Sequence, residues 1–232
     1  MNVPLQPIYF FADSQLLFLR NQGVLFLNSL RQFLAHDSPR AAYIGASNND
    51  APEFYLIFEG AMEGIGIRDC RMIRSSFSAE DEAYLNEADI ILLAGGDVAV
   101  GWKAFVETGI KELIIRRYYE GAMLIGISAG AIQLGLWGLI EGGQPLDELL
   151  DTFKLVPFVI DAHDEKQEWV RLKRAVRLSD GVAKGIGIPT GGGMIYYPDQ
   201  SIEALRRPLY EFFMQDGEMR DALLMPGDEW TA

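Results

Sequence analysis

Short apolar runs recur along the chain with amphipathic stretches between them, and this alternation sets the expected elements. Ile8-Tyr9-Phe10-Phe11 reads as a buried strand, and leucines and phenylalanines at helical spacing predict a helix over 15–35. Strands follow over 41–46, 70–74 and 88–93, with helices over 54–62, 79–87, 99–106 and 110–119. Ser78 is the expected cap of the 79–87 helix: its hydroxyl can accept orphan amide hydrogens, while Glu80, Asp81 and Glu82 suit the helix dipole. Strands alternating with helices predict an α/β fold with a mostly parallel sheet sandwiched by helices. Active residues in such a sheet belong beyond the carboxyl ends of the strands.

After residue 134 the rhythm changes. A Gly-rich stretch over 137–143 precedes an acidic segment over 146–153 that reads as a helix, then a strand over 156–160 and a charged helix over 165–176. Gly185-Ile186-Gly187-Ile188 and Met194-Ile195-Tyr196-Tyr197 suggest short strands and hairpins, and the polar tail after Gly217 is expected to be mobile. No repeat or linker interrupts the chain, so residues 1–232 are expected to form one domain.

Composition narrows the classes open to this pattern. A chain of 232 residues that is 49% hydrophobic can bury a full core. It has no apolar run near the ~18 residues of a membrane span, and its start resembles no signal peptide, so a cytoplasmic location and no membrane partner are expected. The net charge of −13 argues against nucleic acid, whose binding needs clustered Lys and Arg. Cys70 is the only cysteine, which excludes an internal disulfide and any cysteine-built metal site. The apolar positions over 16–33 could serve a homodimer interface as readily as the core.

Candidate chemistry centres on Gly126-Ile127-Ser128-Ala129-Gly130, which follows the apolar run Ala122-Met123-Leu124-Ile125 and precedes the helix-forming Ala131-Ile132-Gln133-Leu134. Strand, sharp turn and helix in that order form a nucleophile elbow, on which a seryl hydroxyl projects from its own backbone. Serine needs a base, most often a histidine oriented by an acid. Of the two histidines, His36 lies in a helix-exit loop, whereas His163 follows a strand and is the expected base, presented from the sheet edge that carries Ser128. Glu141, Asp147, Glu148, Asp161 and Asp164 are all open as the orienting acid. The amide of Ala129 and the Gly95-Gly96 turn are natural oxyanion donors. This chemistry requires neither metal nor organic cofactor. Gly185-Ile186-Gly187 does not open a helix, which argues against a phosphate site. Only about 35 positions separate Ser128 from His163, too few for the strands and helices that an α/β-hydrolase inserts there.

Ala94-Gly95-Gly96-Asp97, Gly126-Ile127-Ser128-Ala129-Gly130-Ala131, Asp161-Ala162-His163 and Gly185-Ile186-Gly187-Ile188 stand in the order seen in the peptidase E and cyanophycinase family, which the chain resembles from about residue 8 to 212. The resemblance implies a class I glutamine amidotransferase-like, flavodoxin-like three-layer sandwich with serine in place of the usual elbow cysteine. It implies Ser128 as nucleophile, His163 as base, and Gly96 with Ala129 as oxyanion donors. It also implies substrate contacts at Asp97 and Arg171. In cyanophycinase-like sequences the acid comes from an Asp-Glu pair after the Gly-x-Gly run, where this chain has Pro189-Thr190. In peptidase E-like sequences it lies between nucleophile and histidine, a place that Glu141 matches. The implied activity is hydrolysis beside aspartyl residues, of small peptides or of β-aspartyl-arginine links. A catalytically silent binding module on the same fold is the alternative, motivated by the departures at Val98, at Pro189-Thr190 and in the acidic stretch before Arg171.

Overall fold

The computed structural model describes residues 4–34, 38–140 and 147–227. In chain order the first half holds β1 (Ile8–Phe11), β2 (Arg20–Asn21), β3 (Val24–Leu25), β4 (Arg40–Ile44), α1 (Pro52–Gly64), β5 (Asp69–Ile73), α2 (Ala79–Leu85), β6 (Ile90–Leu93), α3 (Val98–Thr108), α4 (Ile110–Tyr119), β7 (Met123–Ile127) and α5 (Ala129–Leu134). The second half holds β8 (Trp137–Ile140), β9 (Glu148–Asp151), β10 (Phe158–Ala162), α6 (Val170–Leu178), β11 (Lys184–Ile188), β12 (Gly193–Tyr196), β13 (Ile202–Leu205), β14 (Leu209–Gln215) and β15 (Glu218–Leu224).

Seven strands form the main sheet in the order β13-β12-β1-β7-β6-β4-β5. The five from β1 to β5 in that order are mutually parallel, β12 pairs antiparallel with β1, and β13 pairs antiparallel with β12. All four residues of β1 are buried, as are all four of β6, so the inner strands are apolar on both sides. Ile8, Phe10, Ile91, Leu93 and Leu124 face one core, where Trp102, Phe105 and Ile114 of α3 and α4 cover them. Tyr9, Phe11, Ile90, Leu92 and Ile125 face the other, under Phe58 and Met62 of α1. This is the expected α/β sandwich. Phe11 pairs with Ile127, and Leu93 with Gly126, so β1, β6 and β7 end at one edge.

Four expectations need correction. The segment over 15–35 is not an α-helix but two 3₁₀ turns, Ser14–Phe18 and Phe26–Phe33, separated by the β2–β3 hairpin. Gln22 and Gly23 both take positive φ, a hairpin turn that no continuous helix accommodates. Leu16, Leu17, Leu27 and Leu30 are nonetheless buried in the core, which uses the apolar positions that the periodicity marked. The acidic stretch over 146–153 contributes a strand, β9, antiparallel to β8. Glu168 and Trp169 take positive φ and break the 165–176 helix into a 3₁₀ turn, Glu165–Gln167, and α6. The tail after Gly217 pairs with β14 along the whole of β15. No helix among the described residues is long and apolar enough to cross a membrane.

A second sheet, in the order β10-β11-β14-β15, holds β10 and β11 in parallel. Its Ile160, Ala162, Ile186 and Ile188 share a core with Ala131 and Leu134 of α5, so the elbow helix is the joint between the two sheets.

Candidate active site

Ser128 follows β7 directly and caps α5, with φ 49° and ψ −109°. That backbone is sparsely populated for a residue with a side chain and costs about 1–3 kcal/mol, so its surroundings must hold it. The Ser128 amide donates to Phe11 O at 2.9 Å, and its carbonyl accepts from Ile132 N at 3.0 Å. The small residues of the motif are a packing requirement: a Cβ on Gly130 would lie 2.2 Å from Leu93 O. Larger residues there would push the elbow off the β6 backbone.

His163 comes from the second sheet, not from the edge that carries Ser128 as the sequence suggested. Its amide donates to Ile188 O at 2.9 Å, extending the β10–β11 ladder by one residue, and its φ of 48° turns the chain out of β10. The His163 Nε2 atom lies 2.7 Å from Ser128 Oγ. With Nε2 unprotonated, the hydroxyl donates to it, the arrangement in which a base withdraws the seryl proton.

Gly96 stands on the neighbouring turn after β6. Its φ of 138° and the 2.0 Å that would separate an added Cβ from Ser47 O leave room for glycine alone. Ala129, first residue of α5, has no intrahelical acceptor for its amide. A buried network braces these two positions. Gln133 Nε2 donates to Val98 O at 2.9 Å and to Ser47 Oγ at 3.1 Å, while Asp97 N donates to Ser47 O at 2.7 Å. Ser47 and Gln133, which the sequence did not single out, thereby tie α5 to the glycine turn. Nothing in their spacing marks them, since they are 86 residues apart.

A polar cavity of about 280 Å³ opens beside Ser128, and Asp97, Asp161 and Arg171 line it. Asp97 is partly committed elsewhere, because its Oδ1 accepts from Val100 N at 2.9 Å and caps α3. Asp161 is only 4% exposed. Burial raises its pKa to about 6, against the opposing pull of Arg171 and the Ala162 amide.

Among the five sequence candidates for the acid, Asp161 and Asp164 flank His163 along the chain, and Asp147 pairs instead with Arg174 at 3.4 Å. Glu148 lies in β9, and Glu141 falls outside the described residues, as does His36. Glu165, missed in the sequence, is the further acid at this place. Its Oε1 accepts from the Thr190 amide at 3.2 Å, which ties the 3₁₀ turn after β10 to the loop after β11. Burial opposes its charge, but the Thr190 hydrogen bonds and the nearby His163 outweigh that and lower its pKa. No group of three or more His, Cys, Asp or Glu among the described residues is placed to hold a metal ion.

The model of peptidase family S51 matches residues 8–205. No curated protein matches the chain. Among solved structures, a peptidase from an acI-B1 Actinobacterium superposes with a TM-score of 0.71 at 13% identity, covering 98% of this chain and 97% of its own. A candidate peptidase E from Listeria monocytogenes EGD-e superposes with a TM-score of 0.58 at 16% identity, over 95% and 99%. At those identities the likeness shows a shared fold.

Proposed function

The chain belongs to peptidase family S51, a family of serine peptidases, and from that premise we propose that it hydrolyses small aspartyl or β-aspartyl peptides through an acyl-enzyme on Ser128. The observation that carries this is the 2.7 Å contact between Ser128 Oγ and His163 Nε2, made across two sheets by a strained elbow and a turned strand end. In the proposed reaction His163 accepts the seryl proton as Oγ attacks the scissile carbonyl. The carbonyl oxygen, now an anion, takes hydrogen bonds from the amides of Gly96 and Ala129. His163 then returns the proton to the departing amine, and water repeats the sequence to release the acid and restore the hydroxyl.

An imidazole in this role needs an ionised acid to fix its tautomer. We assign that part to Glu165, whose hydrogen bonds favour the charged form, in preference to Asp161, which burial drives toward neutrality. Glu141 is the rival that the family resemblance supplies. Arg171, on the wall of the polar cavity, is the proposed partner for the substrate's aspartyl carboxylate, with Asp97 at the cavity's rim.

A fluorophosphonate probe read by intact mass and peptide mapping tests the chemistry. One adduct on the Ser128 peptide is expected, absent from S128A, together with hydrolysis of aspartyl dipeptides or β-aspartyl-arginine that S128A lacks. Wild-type protein that neither takes the probe nor hydrolyses these substrates would favour the silent binding module, and hydrolysis retained in S128A would overturn Ser128 as the nucleophile.

A further inference from the structure

Ser128 and His163 stand where two cavities meet. The polar one lies on the α3 and α5 side. The other, of about 260 Å³, lies on the opposite side of the β7 end, and the two share only Gly96, Ser128 and His163. Its walls are Leu17 from the first 3₁₀ turn, Phe54, Ile57 and Phe58 from α1, and Leu92 and Ile127 from the sheet. Among the described residues lining it there is no lysine or arginine.

The polar groups around it are turned to one another. Tyr43 Oη accepts from Asn48 Nδ2 at 2.8 Å, and burial pushes the Tyr43 pKa up to about 12, which keeps the hydroxyl neutral. Asn48 Oδ1 accepts from Ala51 N at 3.3 Å. Asp13 Oδ1 accepts from Gln15 N at 2.8 Å and its Oδ2 from Gly191 N at 2.7 Å, so this carboxylate ties two loops together. What the cavity offers a ligand is therefore hydrocarbon, and Phe54 at its rim is 48% exposed. An aspartyl carboxylate would lose its hydration there with no lysine or arginine to pair with.

We infer that this cavity is a specificity pocket for one large apolar side chain next to the scissile bond, on the residue that leaves with the amine, so that the preferred substrates join an aspartyl group to leucine, phenylalanine or a similar residue. This rests on the serine peptidase assignment above and adds the substrate class that the second cavity selects. An apolar pocket discriminates through the hydrocarbon it removes from water, which supports a preference of 10- to 100-fold.

The experiment compares kcat/KM for Asp-Leu and Asp-Phe with Asp-Ser and Asp-Asp, in wild-type protein and in I57D and F54A, alongside fluorophosphonate labelling of each. The wild type is expected to favour the apolar pair by at least about tenfold. I57D is expected to collapse that ratio, and F54A, at a half-exposed position that folding tolerates, to reduce it several-fold. Labelled protein that hydrolyses all four dipeptides with similar kcat/KM overturns the pocket and leaves the peptidase assignment standing. Wild-type protein that resists the probe and hydrolyses none of them overturns the peptidase assignment itself.

Discussion

The main parallel sheet and the smaller sheet hold their candidate catalytic residues by different means. Ser128 is fixed by neighbours in sequence and by the strands on either side of β7: Phe11 and Ile132 bond its backbone, and Gly130 packs on Leu93. His163 depends on segments far along the chain, since Ile188 positions its amide and Thr190 anchors the adjacent Glu165. One half of the site is thus a local motif set in a rigid sheet. The other exists only once β10 and β11 have paired and docked on α5. Both residues take a positive φ, 49° at Ser128 and 48° at His163, but the elbow's is held by the buried inner strands and the histidine's by the pairing of β10 with β11.

The sharpest way to break this comparison is to ask whether the two halves act as one unit. S128A and H163A are each expected to lower kcat by about 10⁴-fold or more, and the double variant to be no worse than either. Steady-state kinetics on an aspartyl dipeptide measures this. Losses that multiply in the double variant would show that serine and histidine contribute separately, contrary to the single hydrogen bond between them.

The acid comes next in size. E165Q keeps the shape of the side chain and its place by Thr190 but removes the charge, and a fall in kcat of about 10³-fold with little change in KM is expected. E141Q is expected to change kcat less than threefold. If E141Q instead carries the large loss, the acid belongs between nucleophile and histidine, as peptidase E-like sequences have it.

These expectations track what was legible in the sequence. The inner parallel strands could be read because strands covered on both faces are continuous apolar runs: β6, for example, is Ile90-Ile91-Leu92-Leu93. Ser128 was legible because an elbow is defined within a few residues. His163 emerged by elimination among two histidines, but its sheet did not, since a pattern of apolar runs does not say which strands pair. Glu165 had no signal at all: its meaning comes from an amide 25 positions later. The two 3₁₀ turns read as one helix because a period of three and a period of 3.6 place leucines on nearly the same face over a few residues.

Asp161 offers an effect on stability confined to the second half of the site. Its pKa rises from 3.8 to about 6 in the fold, burial being the main cause. Below about pH 4 the carboxyl is neutral both folded and unfolded and carries no penalty. Between about pH 4 and 6 the unfolded carboxyl ionises while the buried one holds its proton, so stability falls, and once pH has risen through 6 both are ionised and the loss is complete. D161N removes the titration, so its stability relative to wild type is expected to climb between pH 4 and 6.5 and level off at roughly 3 kcal/mol. Urea unfolding at pH 4 and pH 7.5 measures it, and a difference independent of pH would mean that the folded protein keeps this carboxyl at its ordinary pKa.

The smallest expected effect belongs to the half that was easiest to read. Ser78 and Asp81 form a capping box on α2, with Ser78 Oγ accepting from Asp81 N and Asp81 Oδ2 accepting from Ser78 N, each at 3.2 Å. Asp81 also accepts from Arg71 Nε at 2.8 Å through its other oxygen, so the box is braced against β5. Replacing Ser78 by alanine leaves that ion pair in place and removes one cap, at a cost of about 1 kcal/mol and a fall of about 2–4 °C in Tm. Because α2 lies away from the β7 edge and touches neither cavity, kcat and KM are expected to stay at wild-type values. A kinetic change in S78A would mean that stability lost at a distant helix end reaches the elbow. The main sheet would then be less rigid a platform for Ser128 than its packing implies, and the contrast between the two halves would narrow.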